Sequence, residues 1–238
     1  MSLNTTDTIN IEITLTDDLR RLLNSQETIK RESQFNCTQV KFADYENKIM
    51  PNTTITKEIF KLIFEQHPCF QRNKHRLYVS TFRTCPITDF GLNGEVSFHR
   101  DNILFPDDCD RNLIITWCAG TTRCGTEALN IADTEIYNKI KEKFAHDEYG
   151  FTVDENYNIL TLSPDDLLYC NEDILNIDKY VKDRNLKVYK SSSPNPHGNI
   201  TALIMSGKSV LHRREKVSDD AIGQYRYVLN IYYNSRDF

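Results

Sequence analysis

The chain has 238 residues, 39% of them hydrophobic, and a formal net charge of −5. That supports one sizeable core, and the acidic balance supplies no global field to hold nucleic acid or an anionic membrane. Seven cysteines (Cys37, Cys69, Cys85, Cys109, Cys118, Cys124 and Cys170) include no Cys-x-x-Cys pair. This argues against a disulfide scaffold or structural zinc and for reduced, buried thiols.

The opening MSLNTTDTINIEITL has neither the basic nor the apolar region of a signal peptide, and no apolar run approaches membrane-spanning length. A soluble, cytoplasmic chain is therefore expected. The Asn-x-Ser/Thr triplets at Asn4, Asn36, Asn52 and Asn199 would matter only in a secreted chain and read as chance. Thr16 followed by DDLRRLLNS reads as an N-cap, an acidic first turn and a short amphipathic helix. Residues 54–67 place Ile59, Phe60, Ile63 and Phe64 on one helical face, with Pro68 ending the run.

From about residue 77 the pattern becomes strand-like. RLYVSTF (76–82) alternates, EVSFH (95–99) follows a Gly-x-x-Gly turn, and NLIITWC (112–118) is a short apolar run. A helical insert is expected over 132–146. Strand signals return at 158–163, 166–170, 186–190, 200–206, 209–212 and 224–233, separated by SSSPNPHGN and KVSDDAIG. The expected fold is mainly β with peripheral helices (α+β): a barrel or jelly roll in one domain spanning 1–238. Residues 1–76 would form helical and mixed support, and 77–234 the core.

Two short motifs mislead. Asp89-Phe90-Gly91 and His99-Arg100-Asp101 suggest a kinase, but their order is reversed and Pro106 stands where the metal-binding Asn belongs. CAGTTRC suggests a cysteine phosphatase loop, but the position six after Cys118 is Cys124, with Arg123 one residue early. Cys118 reads instead as a core strand residue.

The productive constellation is His99, Asp101, His212 and Arg226. Ferrous iron that must bind an organic co-substrate and dioxygen needs three protein ligands on one face, and two imidazoles with one carboxylate supply them. Residues i and i+2 of a strand point the same way, so His99 and Asp101 in FHRDN provide two. His212 follows ITALIMSGKSVLH, read as two apolar strands joined at Ser206-Gly207-Lys208, and is the third. Fourteen residues later Arg226 opens RYVLNIYYN, sharing a strand face with Val228 and Asn230. A guanidinium there can grip the distal carboxylate of 2-oxoglutarate in a fork that lysine would not match.

The order His-x-Asp, long insertion, His, then Arg resembles the 2-oxoglutarate/Fe(II)-dependent dioxygenase superfamily. FHRDN…RNLIITWCAG…GTEAL and PDDLLYC are also similar to segments of its members. The resemblance covers roughly residues 77–234. It implies a double-stranded β-helix (jelly-roll, cupin-like) core, with Fe(II) held by His99, Asp101 and His212. It also implies 2-oxoglutarate as co-substrate at Arg226, with Asn230 on the same face. The expected reaction oxidises a substrate, by hydroxylation, and forms succinate and carbon dioxide. Arg123, Glu127 and Arg214 are candidate substrate contacts. A small molecule or a protein is the favoured substrate class and nucleic acid is disfavoured; the oligomeric state is open.

Other readings of the same residues stay open. His99 and Asp101 would make a surface pair, His212 would be a turn residue, and Arg226 would pair with a carboxylate. At the level of function, the alternatives are a cupin-like metalloenzyme that does not use 2-oxoglutarate and a catalytically inactive barrel acting as a binding or effector protein.

Overall fold

The computed structural model describes residues 8–33, 40–47, 54–82, 108–118, 125–129, 151–153, 159–162, 187–191, 199–206, 210–215 and 223–238. The helix expected over 132–146 and the strands expected over 95–99 and 166–170 lie outside the described residues.

The front of the chain alternates short strands and helices: β1 (Ile9–Thr14), α1 (Asp17–Leu23), α2 (Gln26–Ser33), β2 (Val40–Lys41), α3 (Phe42–Asn47), α4 (Thr54–Gln66) and α5 (Pro68–Arg72). Strands follow: β3 (Tyr78–Phe82), β4 (Arg111–Cys118), β5 (Thr126–Leu129), β6 (Phe151–Val153), β7 (Ile159–Leu162), β8 (Val188–Lys190), β9 (Asn199–Met205), β10 (Leu211–Arg214) and β11 (Arg226–Tyr233). They form a six-stranded sheet in the order β1-β9-β4-β11-β3-β2, a three-stranded sheet β10-β5-β8, and the pair β6-β7. All of these pairings are antiparallel. No helix among the described residues is long and apolar enough to cross a membrane.

Period-two alternation divides the large sheet into two faces. Leu113, Ile115 and Trp117 of β4, with Tyr227, Leu229 and Ile231 of β11, pack in one cluster with Leu19, Leu23, Ile55, Ile59 and Ile63 of the helices. The Trp117 indole N–H donates to Leu23 O at 2.7 Å, tying the central strand to the end of α1. The opposite face carries Ile114, Leu203, Met205 and Val228, which pack with Ala128, Val210 and Tyr189 of the small-sheet segments. β4 is therefore buried on both faces, which is why it reads as an unbroken apolar run.

Three local features complete the arrangement. INIEIT, which carries Ile at 9, 11 and 13, is an edge strand on β9, so the first 76 residues contribute sheet as well as helices. Pro68 ends α4 and also opens α5 at its first turn, where its missing N–H costs nothing. The segments on either side of Ser206 do not form a hairpin: β9 pairs with β1 and β4, whereas β10 pairs with β5 in the other sheet.

Candidate functional site

His212 and Arg226 come from different sheets and face the same space. His212 lies directly opposite Ala128 in the β10–β5 register, so the two side chains share a face. Ala128 packs against Ile114, Leu203 and Val228 of the large sheet, so that face looks inward. Arg226 shares its side of β11 with Val228, which belongs to the same cluster. Residues 84 positions apart on neighbouring strands, Ala128 and His212, thus meet across one register position.

The imidazole is 5% exposed, and its Nδ1 lies 3.1 Å from Val210 O. Donation of Nδ1–H to that carbonyl fixes the tautomer whose Nε2 carries the lone pair, the form a metal ligand requires. Arg226 Nη2 donates to Thr126 Oγ1 at 3.0 Å and to Gly125 O at 3.4 Å. Thr126 is two positions along β5 from Ala128, so this guanidinium end and the His212 register position are roughly 7 Å apart along the strand.

A hydroxyl network backs Thr126. Its N–H donates to Ser191 Oγ at 2.8 Å, Ser191 Oγ donates to Thr116 Oγ1 at 2.9 Å, and the two threonine hydroxyls lie 3.4 Å apart. Ser191 and Thr116 are fully buried, where unmet hydroxyls would be costly. Gly125 must be glycine: a Cβ there would sit 2.0 Å from Ser191 O. Glu215 holds Gly125 twice, donating its N–H to Gly125 O at 2.8 Å and accepting Gly125 N–H on Oε2 at 3.1 Å.

The other face of the small sheet is an ion-pair ladder. Glu127 sits between its two register partners, with Arg213 Nε at 2.9 Å and Lys190 Nζ at 2.5 Å; Lys190 also reaches Glu215 at 3.2 Å. Burial alone would lower the Lys190 pKa, but Glu127 and Glu215 together carry it above the ordinary lysine value. Glu127, expected as a substrate contact, is therefore turned to the face opposite His212, because the pleat alternates it with Ala128.

Arg214 stands at the end of β10, paired with Thr126 in the backbone register. Asn230 shares the Arg226 face but stands four positions on, roughly 13 Å along the strand. Among the described residues its Oδ1 has no hydrogen-bond partner although it is buried, and the same holds for both amide atoms of Asn112. His99, Asp101 and Arg123 lie outside the described residues. Among the described residues no group of three or more His, Cys, Asp or Glu is placed to hold a metal.

Sequence reasoning missed Gly125, Thr126, Thr116, Ser191 and Glu215 as site-supporting residues. Only Gly125-Thr126 left a signal, as the Gly-Thr turn of GTEAL.

No protein-family model matches the chain. No curated protein matches it either. Solved structures do. The Kdo hydroxylase KdoO, a non-heme Fe(II) alpha-ketoglutarate-dependent dioxygenase, matches at 12% identity and a TM-score of 0.43, over 99% of this chain and 82% of that one. The non-heme iron oxygenase OrfP, in complex with hydroxy-L-Arg, matches at 11% identity and a TM-score of 0.38, over 95% of this chain and 75% of that one. Asparagine oxygenase AsnO matches at 10% identity and a TM-score of 0.33, over 94% of this chain and 92% of that one. OrfP has also been solved with Fe and alpha-ketoglutaric acid. These neighbours are non-haem iron oxygenases.

Proposed function

We propose that the chain is an Fe(II)/2-oxoglutarate-dependent oxygenase with a jelly-roll core in one domain, acting by hydroxylation on a small-molecule or protein substrate. The observation that carries the reading is the convergence of His212 and Arg226 on the space between the two sheets. His212 Nε2, with its tautomer set by Val210 O, is one iron ligand in this reading, and His99 and Asp101 are the other two. Arg226, whose Nη2 donates to Thr126 Oγ1 at 3.0 Å, takes the distal carboxylate of 2-oxoglutarate.

Bound iron supplies the site for oxygen chemistry that couples decarboxylation of 2-oxoglutarate to substrate oxidation. The chain's own contribution is positional. β10 aims the imidazole, β11 aims the guanidinium, and Ile114, Leu203, Val228 and Ala128 pack together on the inward face that both share.

The test is anaerobic titration of Fe(II) and then 2-oxoglutarate into the protein, watched by absorption for a metal-to-ligand charge-transfer band. The band should form in the wild type. In Arg226→Ala it should require roughly 10- to 100-fold more 2-oxoglutarate, the loss expected for a charged hydrogen-bonded pair. In His212→Ala, iron retention itself should fall. Succinate production undiminished in Arg226→Ala would exclude this assignment and leave a metalloenzyme that does not use 2-oxoglutarate.

A further inference from the structure

Among the described residues, Glu215 is the one carboxylate hydrogen-bonded to the segment that supports Arg226. It is the residue immediately after β10, three beyond His212, and its side chain is 11% exposed. Its two hydrogen bonds to Gly125, one through backbone N–H and one through Oε2, clamp that residue at N and O together. Gly125 O is itself an acceptor for Arg226 Nη2, and the next residue, Thr126, supplies the other acceptor. The clamp is close-fitting, because Ser191 O leaves no space for a side chain at Gly125. Lys190 neutralises the outer oxygen of the carboxylate, so Oε2 faces Gly125 without an uncompensated charge beside it.

We infer that Glu215 is a positioning residue for co-substrate binding: by holding Gly125 and Thr126, it fixes the direction in which Arg226 presents its guanidinium. The inference rests on the oxygenase reading above and adds a residue to it. The strand that carries the metal-ligand histidine would thereby also set the geometry of the co-substrate anchor. A ligand that needs two parallel hydrogen bonds from a planar fork is sensitive to small rotations of that fork, so loosening its support should weaken co-substrate binding before it touches the chemistry.

The experiment compares wild type, Glu215→Gln, Glu215→Ala and Thr116→Val as Fe(II)-loaded full-length proteins. The readouts are the 2-oxoglutarate Kd by anaerobic calorimetry, KM and kcat for succinate formation, and thermal unfolding. For Glu215→Ala the expected result is a rise of about 10-fold in Kd and KM for 2-oxoglutarate, with kcat at saturation within about 2-fold. Glu215→Gln keeps an acceptor for Gly125 N–H and should recover most of the affinity. Thr116→Val leaves the clamp intact and removes the hydroxyl on the far side of Thr126. It should raise the 2-oxoglutarate KM by a smaller factor; if Glu215→Ala does not fold, Glu215→Asp, whose shorter side chain draws the carboxylate back from Gly125 N–H, serves as the test and should raise Kd and KM with kcat held.

A lower melting temperature with unchanged Kd and KM would overturn the inference, since Glu215 would then only stabilise the fold. A fall in kcat with KM unchanged would overturn it too, because the residue would be acting on the His212 strand. Wild-type protein that binds iron but not 2-oxoglutarate would instead remove the oxygenase reading, and this inference with it.

Discussion

Arg226 donates to a threonine hydroxyl and a backbone carbonyl, and behind the threonine stand the hydroxyls of Ser191 and Thr116. Such a setting fixes a guanidinium by geometry, and geometry depends on close packing. Gly125 is where that dependence is sharpest. A methyl group at this position meets backbone, not the end of a flexible side chain, so the β5 entrance must move. Gly125→Ala should destabilise the fold by about 1–3 kcal/mol, read as a lower urea midpoint, and should weaken 2-oxoglutarate binding in the same protein. A variant as stable as wild type would mean that the segment yields without cost. At this scale the sequence was partly legible. The strand positions of His212 and Arg226 were legible, because the runs that carry them read as strands. Thr126, Thr116 and Ser191 could not be found, because hydroxyl bonds between strands 10 to 75 residues apart leave no spacing rule to read. Glu127 shows the converse: its type suited a binding role, and only the pleat shows that it faces Arg213 and Lys190.

Among the elements, α1 and α4 do different work and should respond differently to mutation. Thr16 Oγ1 accepts Leu19 N–H at 3.2 Å, and Asp17 and Asp18 occupy the first turn, so α1 is begun by local chemistry. Helix α4 has no acidic first turn and is held by its buried face of Ile55, Ile59, Phe60, Leu62 and Ile63. Thr16→Ala should therefore cost about 0.5–2 kcal/mol. Ile59→Ala, at a site with no exposure, should cost about 2–5 kcal/mol. Equal losses in chemical denaturation would show that α1 depends on more than its cap. Both helices were readable because a cap and a 3.6-residue period are local signals. The strand β1 is also readable in principle, from the alternation of Ile9, Ile11 and Ile13. The separation of β9 from β10 is not. A Ser-Gly-Lys link announces that the chain turns, while the choice of sheet is made by partners far away in sequence.

For the molecule as a whole, the layering follows from β4 and β11, whose alternate residues feed the helix-packed core on one side and the space between the sheets on the other. Alternation in the sequence announced a layered β protein; the register that sets His212 against Ala128 is a long-range property and had to be seen. The same global view yields an expectation about alkaline pH. Burial is the main cause that lifts the Tyr78 phenol to about 12, helped by its 3.0 Å hydrogen bond to Asp108. Burial likewise pushes Tyr233 well above the ordinary tyrosine value, with Arg111 pulling down and Asp110 pushing up. Lys190 is raised as well, its two glutamates outweighing burial. All three shifts have one sign: the folded chain keeps protons that the unfolded chain releases at lower pH. The stability they contribute is complete below about pH 10 and is lost as pH rises through about 12. Urea midpoints should therefore be level up to about pH 9 and fall steeply above 10. Tyr233→Phe removes one of the titrations, so its midpoint should fall less steeply over the same range even if it starts lower. A slope identical to wild type would show that Tyr233 gives up its proton at the same pH whether the chain is folded or not.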